Sequence, residues 1–287
     1  MCTVSVMPDL GQLFDYQFMV NALEAGTVVA VMAAAVGWFM VVRRQTFAGH
    51  TLSVIAFPGA AAAGLAGIPI AYGYFAACAL GAVALSPSVR GGRSHSSESA
   101  AIGTVQAVGL ACGFLFVALD HTVLNGLNGL LFGTFLGIDS AQVTVLAAVA
   151  AATLGLIALG ARPLLFASLD AEVATAAGVP VRALGLGFLL VLGLAVAATA
   201  QITGSLLVFT LLVTPATTAQ VLTPRPAAGI AIAVGIALAV TWIGLAIAYY
   251  SPYPVGFWIT SLSFAVYVLA RLGRALTGRR RRTPAIA

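Results

Sequence analysis

The segment Gln45–Gly59, QTFAGHTLSVIAFPG, follows a long hydrophobic run and the pair Arg43-Arg44, and it opens a second hydrophobic run with a histidine. An ionisable side chain that enters a membrane helix is costly to bury, so it is by default a functional hypothesis. We therefore treat His50 as a candidate functional residue. The alternative is an interfacial histidine that is wetted by headgroup water, and the sequence leaves both interpretations open.

The composition of the chain excludes a soluble domain. Of its 287 residues, 61% are hydrophobic and 7% are charged, whereas ordinary globular domains carry roughly 25% charged residues. So little polar surface cannot cover a soluble protein, and it predicts an all-α, polytopic helical membrane protein. Three cysteines, Cys2, Cys78 and Cys112, have neither metal-like nor redox spacing and predict no thiolate site.

Nine hydrophobic runs are candidate membrane spans, although some are shorter than the usual length of about 20 residues. They are residues 19–42, 51–67, 69–88, 100–119, 140–160, 183–200, 204–222, 227–249 and 257–272. Because the second run is short, eight full spans are the alternative. Pro58 and Pro215 interrupt two of the runs, and each frees a helix carbonyl that neighbours or water must satisfy. The glycine-rich, apolar segment His121–Asp139 predicts a re-entrant or short interfacial element.

The arginines predict the orientation of the chain in the membrane. There is no lysine, so all 13 basic residues are arginines. With nine spans and the N-terminus outside, every arginine falls on the cytoplasmic side: Arg43, Arg44, Arg90, Arg93, Arg162, Arg182, Arg225 and the six from Arg271 to Arg282. The positive-inside rule therefore supports nine spans and a cytoplasmic C-terminus together. Residues 1–18 would be extracytoplasmic, 19–272 membrane-embedded, and 273–287 a basic tail that meets anionic lipid rather than nucleic acid.

A cytoplasmic connection is predicted at Arg162–Arg182, RPLLFASLDAEVATAAGVPVR. Ser168 can cap a short helix whose first turn carries Asp170 and Glu172, and Gly178 can end it. Such a helix on the inner face predicts a docking element for a partner. An amphipathic helix that lies on lipid is the alternative, although its acidic residues disfavour anionic headgroups.

The sequence contains no motif for catalysis or nucleotide binding. It has no GxxxxGK[ST] phosphate loop, no Ser/His/Asp set and no paired carboxylates within a span. The spans carry almost no charge, and Glu24, near the outer end of the first, is the exception. Ion-coupled pumps normally need buried carboxylates as relays. We therefore predict a transport subunit that is not an enzyme and that takes its energy from a partner.

The seventh span is the most polar one. Around Pro215 it carries Thr203, Ser205, Thr210, Thr214, Thr217, Thr218 and Gln220. Threonine hydroxyls in membrane helices commonly bond back to their own helix. A cluster beside a proline is better explained as the lining of a wet pathway, a gate or a helix interface. The residues predicted to line it are Thr210, Thr214, Pro215 and Thr218.

Four segments follow known patterns in the right order. Arg43–Ala61, RRQTFAGHTLSVIAFPGAA, resembles RR-x-x-x-x-GDALSHAVLPGVA, and Leu130–Ile138, LLFGTFLGI, resembles LFG-x-IL. Ser168–Val181, SLDAEVATAAGVPV, resembles S-x-DPELA-x-x-x-GV, and Gly204–Ala219, GSLLVFTLLVTPATTA, resembles G-x-LLV-x-x-LLV-x-PAATA. These are patterns of the permease subunits of ABC importers for zinc, manganese and ferrous iron, the ABC-3 type. The similarity covers about residues 20–270.

The resemblance implies a permease in the bacterial plasma membrane that forms a homodimer around one translocation path. Two copies of a cytoplasmic ABC ATPase would dock on it and use ATP, and an extracytoplasmic binding protein would deliver a divalent metal. The chain itself would bind no cofactor. The residues of the ATPase-coupling element would be Ser168, Asp170, Glu172 and Gly178.

The chain departs from the family pattern at the expected metal ligands. The family carries Asp and, four residues later, His, and on a helix that spacing directs both side chains to one spot. Such a pair suits a borderline-soft divalent cation. Here His50 takes the Asp position and Val54 the His position, with Ser53 between them. We therefore predict either a weaker transit site at His50 and Ser53 or a different substrate.

A further pair, Asp120-His121, is predicted to face outside, where it can receive metal from the binding protein. An ordinary solvated pair is the alternative. The sequence leaves three other questions open. The first is the substrate, because the same ABC machinery can carry a chelated or non-metal substrate. The second is the mode of action, because the chain can instead be a stand-alone secondary carrier or a membrane scaffold. The third is the choice between zinc, manganese and iron, which needs a full ligand list.

Overall fold

The computed structural model describes residues 15–90, 95–119, 126–205 and 207–280. Within these ranges the chain is helical and has no β-strand, which confirms the all-α prediction. Its α-helices, numbered in chain order, are α1 (Gln17–Val42), α2 (Thr46–Leu65), α3 (Ile70–Arg90), α4 (His95–Leu119), α5 (Leu127–Phe132), α6 (Ser140–Leu169), α7 (Ala171–Ala176), α8 (Val181–Thr203), α9 (Val208–Leu222), α10 (Pro226–Tyr249) and α11 (Val255–Arg280). A 3₁₀-helix, Phe135–Gly137, lies between α5 and α6.

Seven of the described helices are long and apolar enough to cross a membrane. They are α1, α2, α4 over Ile102–Leu119, α6, α8, α10, and α11 over Val255–Leu276. Two shorter apolar helices, Ile70–Ser86 in α3 and Val208–Leu222 in α9, lie where the third and seventh spans were predicted. The helical architecture is therefore that of a polytopic membrane protein.

α9 begins four residues later than the predicted seventh span. Gly204 has a φ of +73°, which is outside the right-handed helical region, and α8 ends before it. Thr203 is therefore the last residue of α8, where its hydroxyl donates to the carbonyl of Thr199 at 3.0 Å. Ser205 lies in the turn. The polar group predicted for one span is thus divided between two helices and the turn that joins them.

Two other helices run beyond their predicted ends. α6 continues through Pro163 to Leu169, so the first part of the predicted connection 162–182 is helical. α11 continues past residue 272 to Arg280, so the predicted basic tail begins as helix. The α11 extension is basic, whereas the α6 extension is largely apolar and continues past Arg162 and Pro163, a pair that the sequence pattern assigns to a loop.

α1 lies at the centre of the bundle, where it packs against α6, α8, α9 and α10. Its crossing with α9 depends on Gly37. A Cβ added at Gly37 would lie 1.9 Å from the carbonyl oxygen of Leu212 in α9, so no side chain fits there. Small residues allow this close approach of membrane helices. The crossing brings the proline-containing helix α9 against the central helix.

α2 is enclosed by α3 and α4. Gly59 of α2 and Gly73 of α3 face each other, and an added Cβ would lie 2.5 Å and 2.2 Å, respectively, from the other residue's carbonyl oxygen. On the α4 side, a Cβ added at Gly113 would lie 3.2 Å from the Cα of Pro58. His50, nearer the start of α2, is half-buried.

The segment from Gly126 to Asp139 forms a short element, as predicted: α5, the 3₁₀-helix and the N-cap of α6. Its backbone binds the turn before α9. The Thr134 N–H donates to the carbonyl of Ile202 at 3.0 Å, and the Ser205 N–H donates to the carbonyl of Leu130 at 3.1 Å. This pairing holds the turn that starts α9. Residues 120–125 lie outside the described ranges.

Candidate functional site

His50 lies in the first turns of α2 and is half-buried. Its ring meets the ring of Phe209, near the start of α9, with centroids 5.0 Å apart and ring planes at 66°. The Nδ1 atom of His50 is buried and has no hydrogen-bond partner among the described residues. A buried polar atom without a partner is uncommon in folded proteins and calls for an explanation such as an ion, a water or a functional role.

The residues flanking His50 at helical spacing share its face of α2. Phe47 is exposed and Val54 is half-buried, and they lie three residues before and four residues after His50. The i, i+4 relation of His50 and Val54 therefore follows the family's ligand spacing, with an isopropyl group in place of the second imidazole. Ser53 is different. It is only 2% exposed, and its hydroxyl donates to the carbonyl of His50 at 2.7 Å.

α9 has one half-exposed face, and only some of its threonines lie on that face. Thr210, Thr214 and Thr217 are half-buried at spacings of four and three residues, so they line one side of the helix. Pro215 and Thr218 are buried, and Thr218 lies one turn after Thr214 at the edge of this face. Two of the four predicted lining residues therefore lie on the open face and two lie in the core.

The hydroxyls of α9 beside the proline also bond back to the helix. Thr218 donates to the carbonyl of Thr214 at 2.6 Å, and Thr217 donates to the carbonyl of Val213 at 2.8 Å. Pro215 has no N–H to donate to the preceding turn. Back-bonding threonines and a proline both favour bending of a helix. These residues can therefore both bend the helix and line its open face, and Thr217 does both: it bonds back to the helix and belongs to the open face.

The two open faces meet where His50 contacts Phe209. We call the combined surface, consisting of Phe47, His50 and Val54 of α2 with Phe209, Thr210, Thr214 and Thr217 of α9, the α2–α9 surface. It offers one imidazole and three hydroxyl groups but no carboxylate. Within the described ranges, no group of three or more His, Cys, Asp or Glu side chains could hold a metal ion. Such a surface can assist the transit of a cation but cannot enclose it in a four-ligand site.

Gln106 of α4 supports the His50 turn and was not among the predicted site residues. Its Nε2 donates to Oγ1 of Thr51 at 2.8 Å, and Thr51 in turn donates to the carbonyl of Phe47 at 2.9 Å. Thr51 is fully buried. An amide within the apolar part of α4, Ile102–Leu119, is the signal that could have identified Gln106. Phe209 gives no such signal, because an aromatic residue is ordinary in a membrane helix.

The predicted docking helix exists as α7, but a different residue caps it. Ser168 lies in the last turn of α6, where its hydroxyl donates to the carbonyl of Leu164. Asp170 is the N-cap of α7: its carboxylate accepts the N–H groups of Glu172 and Val173, each at 3.0 Å. The prediction that Ser168 caps this helix is therefore wrong, because α6 extends through Ser168 and uses its hydroxyl.

The C-terminal end of α7 is as predicted. Gly178 has a φ of +82°, and its N–H donates to the carbonyl of Thr175 at 3.0 Å. The N–H of Val179 donates to the carbonyl of Ala174, also at 3.0 Å. This pair of bonds is a Schellman motif, which favours glycine at the left-handed position. Glu172 and Val173 are exposed on α7, so one face of this helix is accessible to solvent.

Arg43 joins the end of α1 to α8 and to the last turn of α6. Its guanidinium lies 5.2 Å from the centre of the Phe188 ring of α8, and its Nη1 donates to Ser168 Oγ at 3.5 Å. It follows α1 directly and precedes His50 by seven residues. In the sequence Arg43 indicates only the orientation of the chain, so this contact between sequence-distant elements was not predicted.

The remaining candidates lie elsewhere. Asp120 and His121 are outside the described residues. Glu24 is exposed and lines an apolar cavity of about 730 Å³ formed by α1, α6 and α10. In that cavity Trp242 Nε1 donates to Thr27 Oγ1 at 2.9 Å. None of the cavity's lining residues comes from α2 or α9, so Glu24 does not belong to the α2–α9 surface.

Known proteins resemble this chain over most of its length. The ABC 3 transport family matches residues 15–274. The manganese transport system membrane protein MntC of Halalkalibacterium halodurans is 30% identical over 220 residues, which cover 75% of this chain and 73% of that protein. The chelated iron transport system membrane protein YfeC of Yersinia pestis is 29% identical over 259 residues, which cover 90% and 87%.

A solved structure has the same architecture. The structure of PsaBC from Streptococcus pneumoniae in complex with Fab superimposes with a TM-score of 0.80 at 27% sequence identity. The match covers 91% of this chain and 93% of that chain. The similarity therefore extends from sequence motifs to the arrangement of the helices.

Proposed function

This chain belongs to the ABC 3 transport family, and from that premise we propose that it is the membrane-spanning permease subunit of an ATP-driven importer of a divalent transition-metal ion. It is a multi-pass protein of the bacterial plasma membrane. The relatives described above are named for manganese and chelated iron. We therefore place manganese and iron ahead of zinc as the transported metal.

We propose nine spans with the N-terminus outside. Seven long apolar helices and the two shorter ones, in α3 and α9, support that number. The arginines support the orientation, because every one of them then lies on the cytoplasmic side. The same orientation puts α7 inside and Glu24 near the outer end of α1.

The observation that carries the function is the ring contact of His50 with Phe209 of α9, the helix that carries a row of half-buried threonines. His50 is the ionisable group of the α2–α9 surface, its Nδ1 lacks a partner, and three threonines lie on the adjoining face. We propose that two copies of the chain enclose the path between these surfaces. A cation would pass on imidazole nitrogen, hydroxyl oxygen and water ligands, which bind less tightly than a closed site.

The partners are proposed from the chain's own features. The sequence has no phosphate loop, so ATP hydrolysis belongs to a separate cytoplasmic ABC ATPase. Capped α7, with its exposed Glu172 and Val173, is the element on which this ATPase would dock. An extracytoplasmic binding protein would deliver the metal, and Asp120-His121 remains the predicted receiving pair. No cofactor is proposed for this chain.

A second candidate substrate is a metal chelate. It is favoured by Val54, since a metal that keeps its own ligands needs fewer from the protein. A stand-alone secondary carrier is disfavoured by the low number of carboxylates in the spans. A free metal ion needs His50 as a ligand, whereas a metal chelate does not, so uptake by a His50 variant distinguishes the two substrates.

Uptake of radiolabelled manganese and iron in cells that lack this gene tests the proposal. The cells are complemented with the wild type, His50→Ala, Val54→His, or the control Ile55→Ala, whose residue neighbours Val54 on α2. We expect wild-type uptake, a loss with His50→Ala, little change with Ile55→Ala, and tighter apparent binding with Val54→His, which restores two imidazoles at i, i+4. Wild-type uptake of free metal in the His50→Ala strain would exclude His50 from the path. Uptake of a supplied iron chelate only would favour the second candidate.

A further inference from the structure

A small basic cavity lies at the junction of α1, α3, α7 and α8, apart from the α2–α9 surface. Its volume is about 230 Å³. Arg43, Arg182 and Ser86 supply its polar groups, and Ala171, Val181, Gly185, Leu186 and Leu189 supply the rest of the lining. Two guanidinium groups therefore share one cavity whose lining contains no carboxylate.

Arg43 is held in place without charge compensation. Its Nε donates to Gln45 Oε1 at 3.4 Å and its Nη1 donates to Ser168 Oγ at 3.5 Å, so both partners are neutral. Both distances exceed the usual range of about 2.7–3.2 Å. The side chain is half-buried, and burial lowers the pKa of its guanidinium. A partly desolvated cation with weak neutral partners favours an anion within reach.

Arg182 adds a second cation to the same cavity. It lies in the first turn of α8 and is exposed. Among the residues that the structure describes, no carboxylate pairs with Arg43 or with Arg182. The Asp170 carboxylate does not line the cavity, and its Oδ1 accepts the N–H groups of Glu172 and Val173. The cavity therefore has two guanidinium groups available for an external ligand.

The position and lining of the cavity identify the class of ligand. Arg43 follows the last residue of α1 and Arg182 is the second residue of α8, so both lie at the ends of apolar helices of membrane length. That is the level of lipid headgroups. Guanidinium groups bind phosphate through parallel hydrogen bonds. Leu186 and Leu189 supply an apolar wall, which suits an amphiphile better than inorganic phosphate.

We propose that this cavity binds the phosphate of an acidic phospholipid headgroup between Arg43 and Arg182. A basic pocket between membrane helices is a known way to bind such headgroups. The lipid would bridge the end of α1 to the starts of α7 and α8, because Ala171 and Val181 also line the cavity. This assignment does not depend on which ion the protein transports.

The test uses the full chain in nanodiscs of mixed phosphatidylglycerol and phosphatidylcholine, followed by native mass spectrometry of the lipids retained. The variants are Arg43→Gln and Arg182→Gln, and the matched control is Arg225→Gln, an exposed arginine at the start of α10 that does not line the cavity. We expect the wild type and the control to retain phosphatidylglycerol. Each cavity variant should bind it about tenfold more weakly, as for the loss of one charge-assisted hydrogen bond.

Three results would overturn the proposal. The first is equal phosphatidylglycerol retention by the wild type and both cavity variants. The second is protection of the wild type against thermal unfolding by soluble glycerol phosphate alone, to the same extent as by the lipid, which would assign the cavity to free phosphate compounds. The third is loss of ATPase binding in Arg182→Gln with unchanged lipid retention, which would assign it to a carboxylate of a partner protein. Since Arg182 is exposed, its variant keeps the test valid even if Arg43→Gln does not fold.

Discussion

The imidazole of His50 on α2 meets the ring of Phe209 on α9 edge to face, with centroids 5.0 Å apart. This contact joins the ionisable residue of the α2–α9 surface to the proline-containing helix. A movement of α9 would therefore change the position available to the imidazole. The direct consequence is that Phe209, although it has no ligand atom, should affect transport through His50.

Phe209→Ala should reduce metal uptake about 2- to 10-fold, since an edge-to-face ring pair contributes about 0.5–1.5 kcal/mol. Phe264→Ala is the matched control, because Phe264 is a phenylalanine of α11 that is 65% exposed. Uptake by complemented cells, normalised to the amount of protein in the membrane, measures the effect. Equal uptake by both variants and the wild type would show that the ring contact does not position His50.

Gln106→Leu should destabilise the protein by about 1 kcal/mol, the usual net contribution of one hydrogen bond. The variant loses the 2.8 Å bond from Gln106 to Thr51, the residue after His50. Thermal unfolding in detergent should show a midpoint lower by about 2–4 °C. In a double-mutant cycle, Thr51→Val should lower the free energy of unfolding less in the Gln106→Leu background than in the wild type. In that background, Thr51→Val removes only the bond from Thr51 to the carbonyl of Phe47. Fully additive effects would show that the bond contributes nothing.

Asp170→Ala should weaken α7 by about 0.5–2 kcal/mol because the helix loses its N-cap. Asp170→Asn retains an acceptor oxygen for the N–H groups of Glu172 and Val173 and should behave like the wild type. The readout is binding of the partner ATPase to the detergent-purified permease. If Asp170→Asn fails as Asp170→Ala does, the charge of Asp170 rather than its cap is what the partner needs.

Gly133→Ala should greatly reduce the yield of monodisperse protein. Gly133 has a φ of +82°, and its added Cβ would lie 2.0 Å from the carbonyl oxygen of Ile202. Gly137→Ala is the control within the same segment, since its Cβ would meet only the Cβ of Thr134, at 3.8 Å. Size-exclusion profiles of the two variants measure the difference. A normal profile for Gly133→Ala would mean that the junction with the α8–α9 turn is not rigid.

The elements that depend on local pattern and composition could be predicted from the amino-acid sequence. Low charge and long apolar runs predict membrane helices, since unpaired backbone groups cannot face lipid. Among the described residues, the approximate positions of the nine apolar helices followed from this, as did the short element near Gly133 and the glycine that ends α7. These features depend on residues close together in the chain, so the signal is contained in the sequence itself.

Tertiary structure alone decided which distant side chains meet. The ring of Phe209 against His50, the bond from Gln106 to Thr51 and the contact of Arg43 with Ser168 join residues of different helices. It also decided which threonines of α9 are buried, since Thr218 is buried whereas Thr214, one turn earlier, is half-exposed. Such contacts depend on how helices cross, and the crossings depend on close glycine packing in three dimensions, which no local pattern specifies.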